Sequence, residues 1–587
     1  MRNGAGIDDG RVLWAPHEMP EPRPDASQDL ARYRRWLGRR ETERSGATSG
    51  RRAPASTGEP ELDVVLVVHQ AEPEALRTCL HSLAGQTADR WRLSVTMAGP
   101  PDPAADAVLG EEISSFSPGQ VDVHRCPEGT DEASAAEVAV EASGSPCFTL
   151  LGAHDRLAPD AVSLLAGALV DADVAYADED LLDHEGLPAT PRLKPDWSPE
   201  LCQSCNYVGR PVAYRQALVV AAGGVRPVPG GDWEHDLVLR VTERTDRIAH
   251  IPEVLCHRRG GARGAAFGNG AVVAALRRRG EVATVEPGPL PSTWRVRRPV
   301  GDPLVTVIVP FHNSTTFLRT CVDSVLATAG DARLEIVLVD NGSDEPETCT
   351  LLERLDALDV VTVQHDPRPF NWAALNNRAA ATARGDVLLF LNDDIEAPAP
   401  GWLAALAAQA VRPEIGAAGA RLVYPDGRLQ FAGTVLRLGG AAGHVLAGVP
   451  GDRPGYLGMA VLTRDVTAVT GACMATRRAV FEHLGGFDEA LGIDCNDVDY
   501  CLRARAAGLR VVYEPQAELV HYESPTRGMS GSGGDIIRFV DRWEESLLAG
   551  DPYLNSHLTC LDGSASLRET DELAWWQEWR AELEQAK

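Results

Sequence analysis

The stretch Leu388-Leu-Phe-Leu-Asn-Asp-Asp-Ile-Glu396 indicates the fold of this chain. It opens with an unbroken apolar run, which is typical of a parallel strand that helices cover on both faces. The run stops abruptly at Asn392, Asp393 and Asp394. Because hard cations such as Mg²⁺ and Mn²⁺ prefer oxygen ligands, we expect a metal at this strand end. For so short a motif, a strand followed by an acidic turn is the ordinary alternative.

Apolar runs of the same kind alternate with helical periodicity on both sides of that stretch. This alternation predicts an α/β fold, with parallel strands joined by crossover helices. Such a sheet binds ligands at the carboxyl ends of its strands. In this region the predicted strands are residues 305–309, 335–339, 360–364 and 387–391, and the predicted helices include residues 316–327 and 371–383.

The chain reads as two copies of one large domain. In the first half, Val64-Val-Leu-Val-Val68 is followed by Leu76-Arg-Thr-Cys79. In the second half, Val305-Thr-Val-Ile-Val309 is followed by Leu318-Arg-Thr-Cys321 at the same spacing. Self-similarity of this kind is the signature of a tandem duplication.

Composition and landmarks predict how the chain is divided. Residues 1–60 are rich in Pro, Arg, Ser and Gly, apart from a helical pattern around residues 29–37. Such composition predicts a flexible tail with a short helix. We expect a first, degenerate domain at residues 61–280, a linker at 281–302, a second, catalytic domain at 303–530 and a helical appendage at 531–587.

The net charge of −28 argues against a nucleic-acid partner, whose phosphates would need neutralising by Lys and Arg. The 12 cysteines form no compact framework, and the polar start lacks the apolar core of a signal peptide, so we expect a cytoplasmic protein. No run reaches the roughly 18 apolar residues that span a bilayer. Work on lipid-linked material would therefore take place at the inner membrane face, where the tail arginines offer a peripheral contact.

Polar groups also follow the other predicted strands of the second half. The first strand ends at Pro310, and the second ends at Asp340, whose carboxylate can accept hydrogen bonds from a base or ribose. Asp340 can equally be a simple turn former. The helix that begins near Phe370 directs backbone NH groups towards an anion. Arg378 on that helix is either a phosphate contact or an ordinary surface arginine.

Two further residues suit the transfer of a sugar to a hydroxyl group. Asp497 lies near the start of a predicted helix, where a carboxylate can be a general base for the acceptor proton or merely an N-terminal cap. His521 follows a short strand and can offer a neutral imidazole to the same metal. A single histidine at a strand end is more often structural.

Five motifs follow one another along the second half: Val-Ile-Val-Pro-Phe-His-Asn, Val-Asp-Asn-Gly-Ser, Leu-Asn-Asp-Asp, Gly-Gly-Phe-Asp-Glu and Asn-Asp-Val-Asp-Tyr-Cys-Leu-Arg. In order and spacing they resemble the family 2 inverting glycosyltransferases. The resemblance covers residues 60–568, and within the family the chain looks like tandem-domain members that build bacterial O-antigen or cell-wall polysaccharide, including rhamnosyl- and galactofuranosyltransferase-like proteins. It implies two tandem domains of the nucleotide-diphosphosugar transferase α/β fold, called GT-A.

The resemblance also implies roles for individual residues. The chain departs from the family at Asn392, where the first aspartate of the Asp-x-Asp motif is expected. A Mg²⁺ or Mn²⁺ cofactor is implied, with weaker affinity than usual. Asp497 would be the catalytic base, Asp394 and His521 the metal ligands, Asp340 the nucleoside contact, and Pro310, Asn377, Arg378 and Asp393 further contacts to the nucleotide sugar.

The implied reaction is a single displacement with inversion. A sugar moves from a nucleotide diphosphosugar, with dTDP- and UDP-sugars favoured, to a hydroxyl of a glycan or lipid-linked glycan in cell-envelope synthesis. The alternative is a non-catalytic glycan-binding scaffold with relic transferase domains. A nucleotidyltransferase would need a Gly-rich loop after its first strand, and the segment at Pro310 is not one.

The matching positions of the first half are eroded. Gly152-Ala-His-Asp155 retains a single carboxylate at the metal position. Glu234 matches the base and His257 matches His521. We expect this half to be catalytically silent and to position acceptor glycan or support the second half, although Asp178 and Asp180 offer another way to bind a donor.

Overall fold

The computed structural model describes residues 6–8, 11–13, 26–50, 62–69, 71–228, 232–259, 268–523, 530–531, 533–568 and 570–585. The chain divides into two compact units. We call them the N-terminal unit, which comprises Pro20–Trp197 and Cys205–Trp294, and the C-terminal unit, which comprises Met1–Met19, Ser198–Ser204 and Arg295–Lys587.

The chain begins with two short strands and a long helix. The helix expected around residues 29–37 extends over Ala26–Gly50, while most of the predicted flexible tail lies outside the described residues. This helix packs on the N-terminal unit through apolar side chains and through ion pairs made by its arginines. The elements are β1 (Gly6–Asp8), β2 (Arg11–Leu13) and α1 (Ala26–Gly50); the buried side chains are Tyr33, Trp36 and Leu37, and the pairs join Arg34 to Asp183, Arg40 to Glu253 and Arg44 to Asp160.

The N-terminal unit is built on one mixed sheet covered by helices. Its central strand is buried from Leu62 to Val68, as an unbroken Val/Leu run predicts. The elements up to the second unit are β3 (Leu62–His69), α2 (Pro73–Ala84), β4 (Trp91–Ala98), α3 (Pro103–Glu112), β5 (Val121–Arg125), α4 (Glu132–Ala142), β6 (Cys147–Gly152), β7 (Asp155–Leu157), α5 (Ala161–Ala168), β8 (Val174–Leu182), β9 (Pro188–Arg192), α6 (Pro199–Ser204), β10 (Val212–Arg215), α7 (Gln216–Ala221), α8 (Trp233–Thr242), β11 (Ile248–Arg259), α9 (Gly270–Arg278), β12 (Thr284–Pro287) and β13 (Trp294–Arg297).

The C-terminal unit contains a second sheet and the last helices of the chain. Its strands match the predicted ones to within a few residues, which confirms the α/β prediction. The elements are β14 (Leu304–Phe311), α10 (Thr315–Thr328), β15 (Arg333–Asp340), α11 (Pro346–Asp356), β16 (Val361–His365), α12 (Trp372–Thr382), β17 (Val387–Leu391), β18 (Ile395–Glu396), α13 (Trp402–Ala410), β19 (Ile415–Val423), β20 (Leu429–Phe431), β21 (Thr434–Leu436), β22 (Ala442–His444), β23 (Arg464–Asp465), β24 (Cys473–Arg477), α14 (Arg478–His483), α15 (Asn496–Ala506), β25 (Arg510–His521), β26 (Ser530–Gly531), α16 (Gly533–Ala549) and α17 (Glu572–Gln585).

The two sheets repeat one strand order, which confirms the tandem domains. The order is β5-β4-β3-β6-β10-β8-β11-β7 in the N-terminal unit and β16-β15-β14-β17-β24-β19-β25-β18 in the C-terminal unit. The segment between β8 and β10 contains β9 and α6, whereas the segment between β19 and β24 contains the extra hairpin β21–β22. The C-terminal unit has therefore gained structure beside its strand ends.

Helix α6 is anchored in the C-terminal unit by buried ion pairs. Glu200 is 2% exposed and accepts hydrogen bonds from Arg412 at 2.6 Å and Arg510 at 2.8 Å. Burial alone would raise the pKa of the Glu200 carboxyl, but these guanidinium groups hold it well below its usual range. Removing this carboxylate would leave buried cations without compensation.

We predict that Glu200→Ala destabilises the C-terminal unit by about 3–5 kcal/mol, because it breaks a buried pair from one side. The matched control is Glu414→Ala, since the Glu414 side chain contacts the same two arginines but is 43% exposed. That change is expected to cost less than about 1 kcal/mol, as exposed pairs do. Urea unfolding of the full chain measures the free energy of unfolding of both variants. Equal losses of stability would show that the burial of Glu200 is unimportant.

Candidate active site

The strand register gathers the predicted site residues at one edge of the second sheet. Strand β14 pairs in parallel with β15, so that Phe311 lies opposite Asp340. It also pairs with β17, where Ile308 lies opposite Phe390, two residues before Asn392. The carboxyl ends of these three strands therefore lie side by side, and Pro310 is buried among them.

A short antiparallel pair brings Asp394 and His521 together. Ile395 in β18 lies opposite His521 in β25, and the backbone NH of Tyr522 donates to the carbonyl of Asp394 at 3.0 Å. Asp394 Oδ1 is consequently 3.2 Å from His521 Nε2, and both residues are buried. Residues far apart in the sequence thus form a carboxylate–imidazole pair at the strand end.

This pair fits a divalent cation. Adjacent ligands of an octahedral ion with bonds of about 2.1 Å lie about 3 Å apart, which is close to the observed separation. Beside the pair, the amide of Asn392 is 2% exposed and has no hydrogen-bond partner among the described residues. Within that part of the chain, no cluster of three or more His, Cys, Asp or Glu side chains forms a complete metal site. The described residues thus offer two side chains of the kinds that bind such ions, with a polar neighbour.

Asp497 is the second residue of α15. The helix begins directly after Cys495, which is in the left-handed conformation. Its Oδ2 accepts a hydrogen bond from the backbone NH of Gly471 at 2.7 Å. A Cβ at position 471 would stand 2.8 Å from the ring of Trp372, so only glycine allows this close approach. The carboxylate is thus oriented both by Gly471, outside its helix, and by the NH of Val498 within it, which donates to Oδ1 at 2.8 Å.

Asp499, two residues later, has a different environment. It is fully buried, and it accepts hydrogen bonds from Arg503 at 2.8 Å, Arg542 at 2.8 Å and Trp543 at 2.9 Å. These contacts join α15 to α16. Of the two carboxylates at this helix start, Asp499 holds the helix in place, while Asp497 is half-buried beside Gly471.

Asp340 ends β15 and is 4% exposed. Its Oδ1 accepts a hydrogen bond from the backbone NH of Ser343 at 2.8 Å, which is the contact expected of a turn-forming aspartate. Its Oδ2 is 2.9 Å from Nδ1 of His365, an exposed residue at the end of the neighbouring strand β16. No local sequence pattern indicates His365, because this contact depends on the pairing of β15 with β16.

Asn377 and Arg378 make contacts within the chain. The amide of Asn377 bonds to both the NH and the carbonyl of Phe487 at 2.9 Å, which fastens the turn at that residue to α12. Arg378 Nε donates to Asp366 Oδ2 at 2.5 Å. Asp393, which is half-buried, lies between Asn392 and Asp394. Contact of these side chains with a nucleotide sugar stays a prediction.

In the N-terminal unit an arginine occupies the matching site. His257 lies opposite Arg156 in the pairing of β11 with β7, just as His521 lies opposite Ile395, so Asp155 is the counterpart of Asp394. The guanidinium of Arg210 donates to Asp155 at 2.7 Å and also forms an ion pair with Glu234. Arg210 is only 4% exposed, so a fixed cation joins the counterparts of Asp394 and Asp497.

The other carboxylates of the N-terminal unit are engaged in structural contacts. Asp180 accepts from the Tyr33 hydroxyl at 2.5 Å and lies 2.9 Å from His257 Nδ1. Asp178 accepts from the backbone NH of Lys194 at 2.7 Å. Helix α1 thus covers one of the two residues that offered another way to bind a donor.

The repeated α/β sheet with buried carboxylates at its strand ends is an arrangement that a glycosyltransferase can use. The chain belongs to glycosyl transferase family 2, which it matches over residues 63–188 and 306–485. Family membership and the repeated sheet confirm the expected pair of GT-A domains. In the part of the chain that the structure describes, every helix is too short or too polar to cross a membrane.

Three relatives show what this chain is similar to. It is 38% identical over 573 residues to the O-antigen biosynthesis protein RfbC of Myxococcus xanthus, with 94% of this chain and 44% of that protein covered. It is 35% identical over 526 residues to protein y4gI of Sinorhizobium fredii, covering 85% and 58%. A shorter match, 33% identical over 109 residues, covers 16% of this chain and 36% of the N-acetylglucosaminyl-diphospho-decaprenol L-rhamnosyltransferase of Mycobacterium tuberculosis. The chain spans about half the length of the first two relatives.

Proposed function

We propose that the chain transfers a sugar from a nucleotide diphosphosugar to a hydroxyl of a glycan or lipid-linked glycan, with inversion, and that the C-terminal unit performs the chemistry. The observation that supports this most is the separation of 3.2 Å between Asp394 and His521. In the N-terminal unit, the counterpart of Asp394 is bonded to Arg210 instead. The C-terminal unit alone combines a metal-binding pair with a carboxylate oriented for base catalysis.

Each residue would have one task. Asp340 would hold the nucleoside at the end of β15, helped by His365. Asp394 and His521 would bind Mg²⁺ or Mn²⁺, which supplies positive charge next to the leaving diphosphate. Asp497 would take the proton of the acceptor hydroxyl as that oxygen attacks the anomeric carbon from the face opposite the diphosphate. Gly471 would keep the receiving carboxylate in place through its backbone NH.

The N-terminal unit would be catalytically silent. Although burial disfavours its charge, Arg210 pairs with Asp155 and Glu234, and these carboxylates hold the pKa of its guanidinium well above the ordinary value. A metal ion at this position would have to displace the guanidinium from Asp155. A role in positioning acceptor glycan or supporting the C-terminal unit fits these contacts, and the scaffold alternative would thus apply to this unit alone.

The similar proteins favour a role in envelope polysaccharide synthesis. One relative is named for O-antigen biosynthesis and another for transfer of rhamnose to a lipid-linked sugar. We therefore favour dTDP- or UDP-sugars as donors and place the reaction in the cytoplasm, at the inner face of the membrane. Arg34 and Arg44 would contribute little to membrane contact, since both form ion pairs with carboxylates of their own unit.

The donor can be identified by thermal stabilisation of the full chain. A ligand that binds only the native state stabilises it, by about 2.7 kcal/mol at a hundred times its Kd. We expect one nucleotide sugar among dTDP-rhamnose, UDP-galactofuranose, UDP-hexoses and GDP-sugars to raise the melting temperature, and Mn²⁺ to enlarge the shift. If no member of the panel has an effect, with or without Mn²⁺, the transferase proposal is wrong.

Asp497→Asn is expected to lower the transfer rate by at least about a hundredfold, because the acceptor proton loses its base. Donor affinity should stay nearly unchanged, since the amide retains an oxygen for the NH of Gly471. The matched control is Glu234→Gln in the N-terminal unit, which is expected to transfer at the wild-type rate. An active Asp497→Asn enzyme would refute the assigned base, and loss of one of two linkages in Glu234→Gln would show that the N-terminal unit is active.

Asp394→Asn and His521→Gln are each expected to weaken Mn²⁺ binding by at least about tenfold, because each removes a strong ligand. Mn²⁺ titration of the full chain in the presence of UDP, followed by electron paramagnetic resonance, measures this. Asp155→Asn is the matched control, since that carboxylate is bonded to Arg210 at 2.7 Å. A loss of Mn²⁺ binding in Asp155→Asn, without a loss in Asp394→Asn, would show that the metal binds in the N-terminal unit and would contradict the proposal.

A further inference from the structure

The hairpin β21–β22 carries a histidine to the edge of the proposed active site. His444 ends β22 and lies opposite Thr434 of β21. Thr434 forms an isolated bridge with Ala468, at the start of the segment that leads to Gly471. The hairpin thus rests on the segment that orients the proposed base.

Pairing across three strands places His444 near the metal-binding pair. Its ring packs edge-on against Phe431 of β20, with centroids 4.8 Å apart and an interplanar angle of 83°. Phe431 pairs with Leu422 of β19, and Leu422 pairs with Leu519 of β25, two residues before His521. Because paired strands lie about 4.8 Å apart, Phe431 stands roughly two strand spacings from the strand that carries His521, and His444 packs against the Phe431 ring.

One ring nitrogen of His444 is used within the hairpin. Nδ1 is 3.2 Å from the carbonyl oxygen of Gln430, so this nitrogen carries the proton and donates it. Burial lowers the pKa of His444 to about 4; the hydrogen bond to Gln430 and the charge of Glu523 oppose this shift, whereas His521 adds to it. The imidazole is therefore neutral at pH 7, and Nε2 presents a lone pair that can accept a hydrogen bond.

The hairpin lies on the acceptor side of the sheet. In the order β15-β14-β17-β24-β19-β25, Asp340 belongs to the strand at one end, whereas the hairpin packs on Phe431 of β20, which pairs with β19 towards the other end. A lone pair on a neutral ring suits a hydroxyl donor and repels phosphate oxygens. In the described residues, His444 belongs to no cluster able to hold a metal.

We propose that His444 binds the acceptor, with Nε2 accepting a hydrogen bond from a hydroxyl group of the acceptor sugar. This inference rests on the proposed function of the C-terminal unit. It assigns the hairpin between β19 and β24 to acceptor recognition. The ligand class is a neutral sugar with a free hydroxyl beside the one that reacts.

Two substitutions test the contributions of the two ring nitrogens separately. His444→Asn keeps a polar group near the Nδ1 position, where it can still bond to Gln430, but lacks one at Nε2. His444→Gln reaches the Nε2 position instead. The full chain is assayed with the donor found by thermal stabilisation and with octyl glycosides of glucose, galactose and rhamnose as acceptors.

For His444→Asn we expect the acceptor KM to rise roughly three- to tenfold, because the acceptor loses one neutral hydrogen bond. The donor KM and the Mn²⁺ affinity should not change, and His444→Gln should restore the acceptor KM to near the wild-type value. Equal acceptor KM values in wild type and His444→Asn would overturn the proposal. So would a loss of donor or Mn²⁺ affinity, which would assign His444 to the donor or the metal.

The activity of the wild-type enzyme shows whether the proposed function is wrong or only the role of His444. If it binds a nucleotide sugar and transfers to a glycoside, while His444→Asn behaves like wild type, only the role of His444 is wrong. If wild type transfers to none of the three glycosides and hydrolyses no donor, the proposed function fails, and the role of His444 fails with it.

Discussion

The short pairing of β18 with β25 is the contact on which the proposed site depends. It consists of two residue pairs, yet it brings a buried carboxylate within 3.2 Å of a buried imidazole. A buried carboxylate is costly unless a positive partner or hydrogen bonds compensate for its lost hydration. We propose that a metal ion supplies part of this compensation, and that the neighbouring strand ends and α15 arrange the remaining groups around it.

The duplicated units compensate for this buried charge in different ways. In the N-terminal unit, the segment before β10 has Arg210, whose guanidinium bonds to Asp155 and Glu234. In the C-terminal unit, the segment before β24 has the small residues Gly471 and Ala472. A side chain supplies the cation in one copy, and a dissociable metal ion would supply it in the other. This difference would explain how one scaffold serves chemistry in one unit and structure in the other, as we propose.

The local pattern of the sequence predicts much of this arrangement. Unbroken apolar runs identify the strands, and the acidic end of β17 identifies Asp394, because both signals lie within a few residues. Arg210, Gly471 and His365 could not be found in that way, since each matters through a contact with a residue in another element. Packing of Tyr33 on Asp180 likewise depends on where α1 docks. Periodicity reveals elements, whereas these roles arise from tertiary contacts.

A crystal structure of the full chain with UDP and Mn²⁺, with anomalous scattering recorded at the manganese edge, would locate the metal independently of activity. We predict an anomalous peak between Asp394 and His521, with the guanidinium of Arg210 still bonded to Asp155. A peak beside Asp155, or clear UDP density in the C-terminal unit without manganese at Asp394, would contradict the division of roles between the two units.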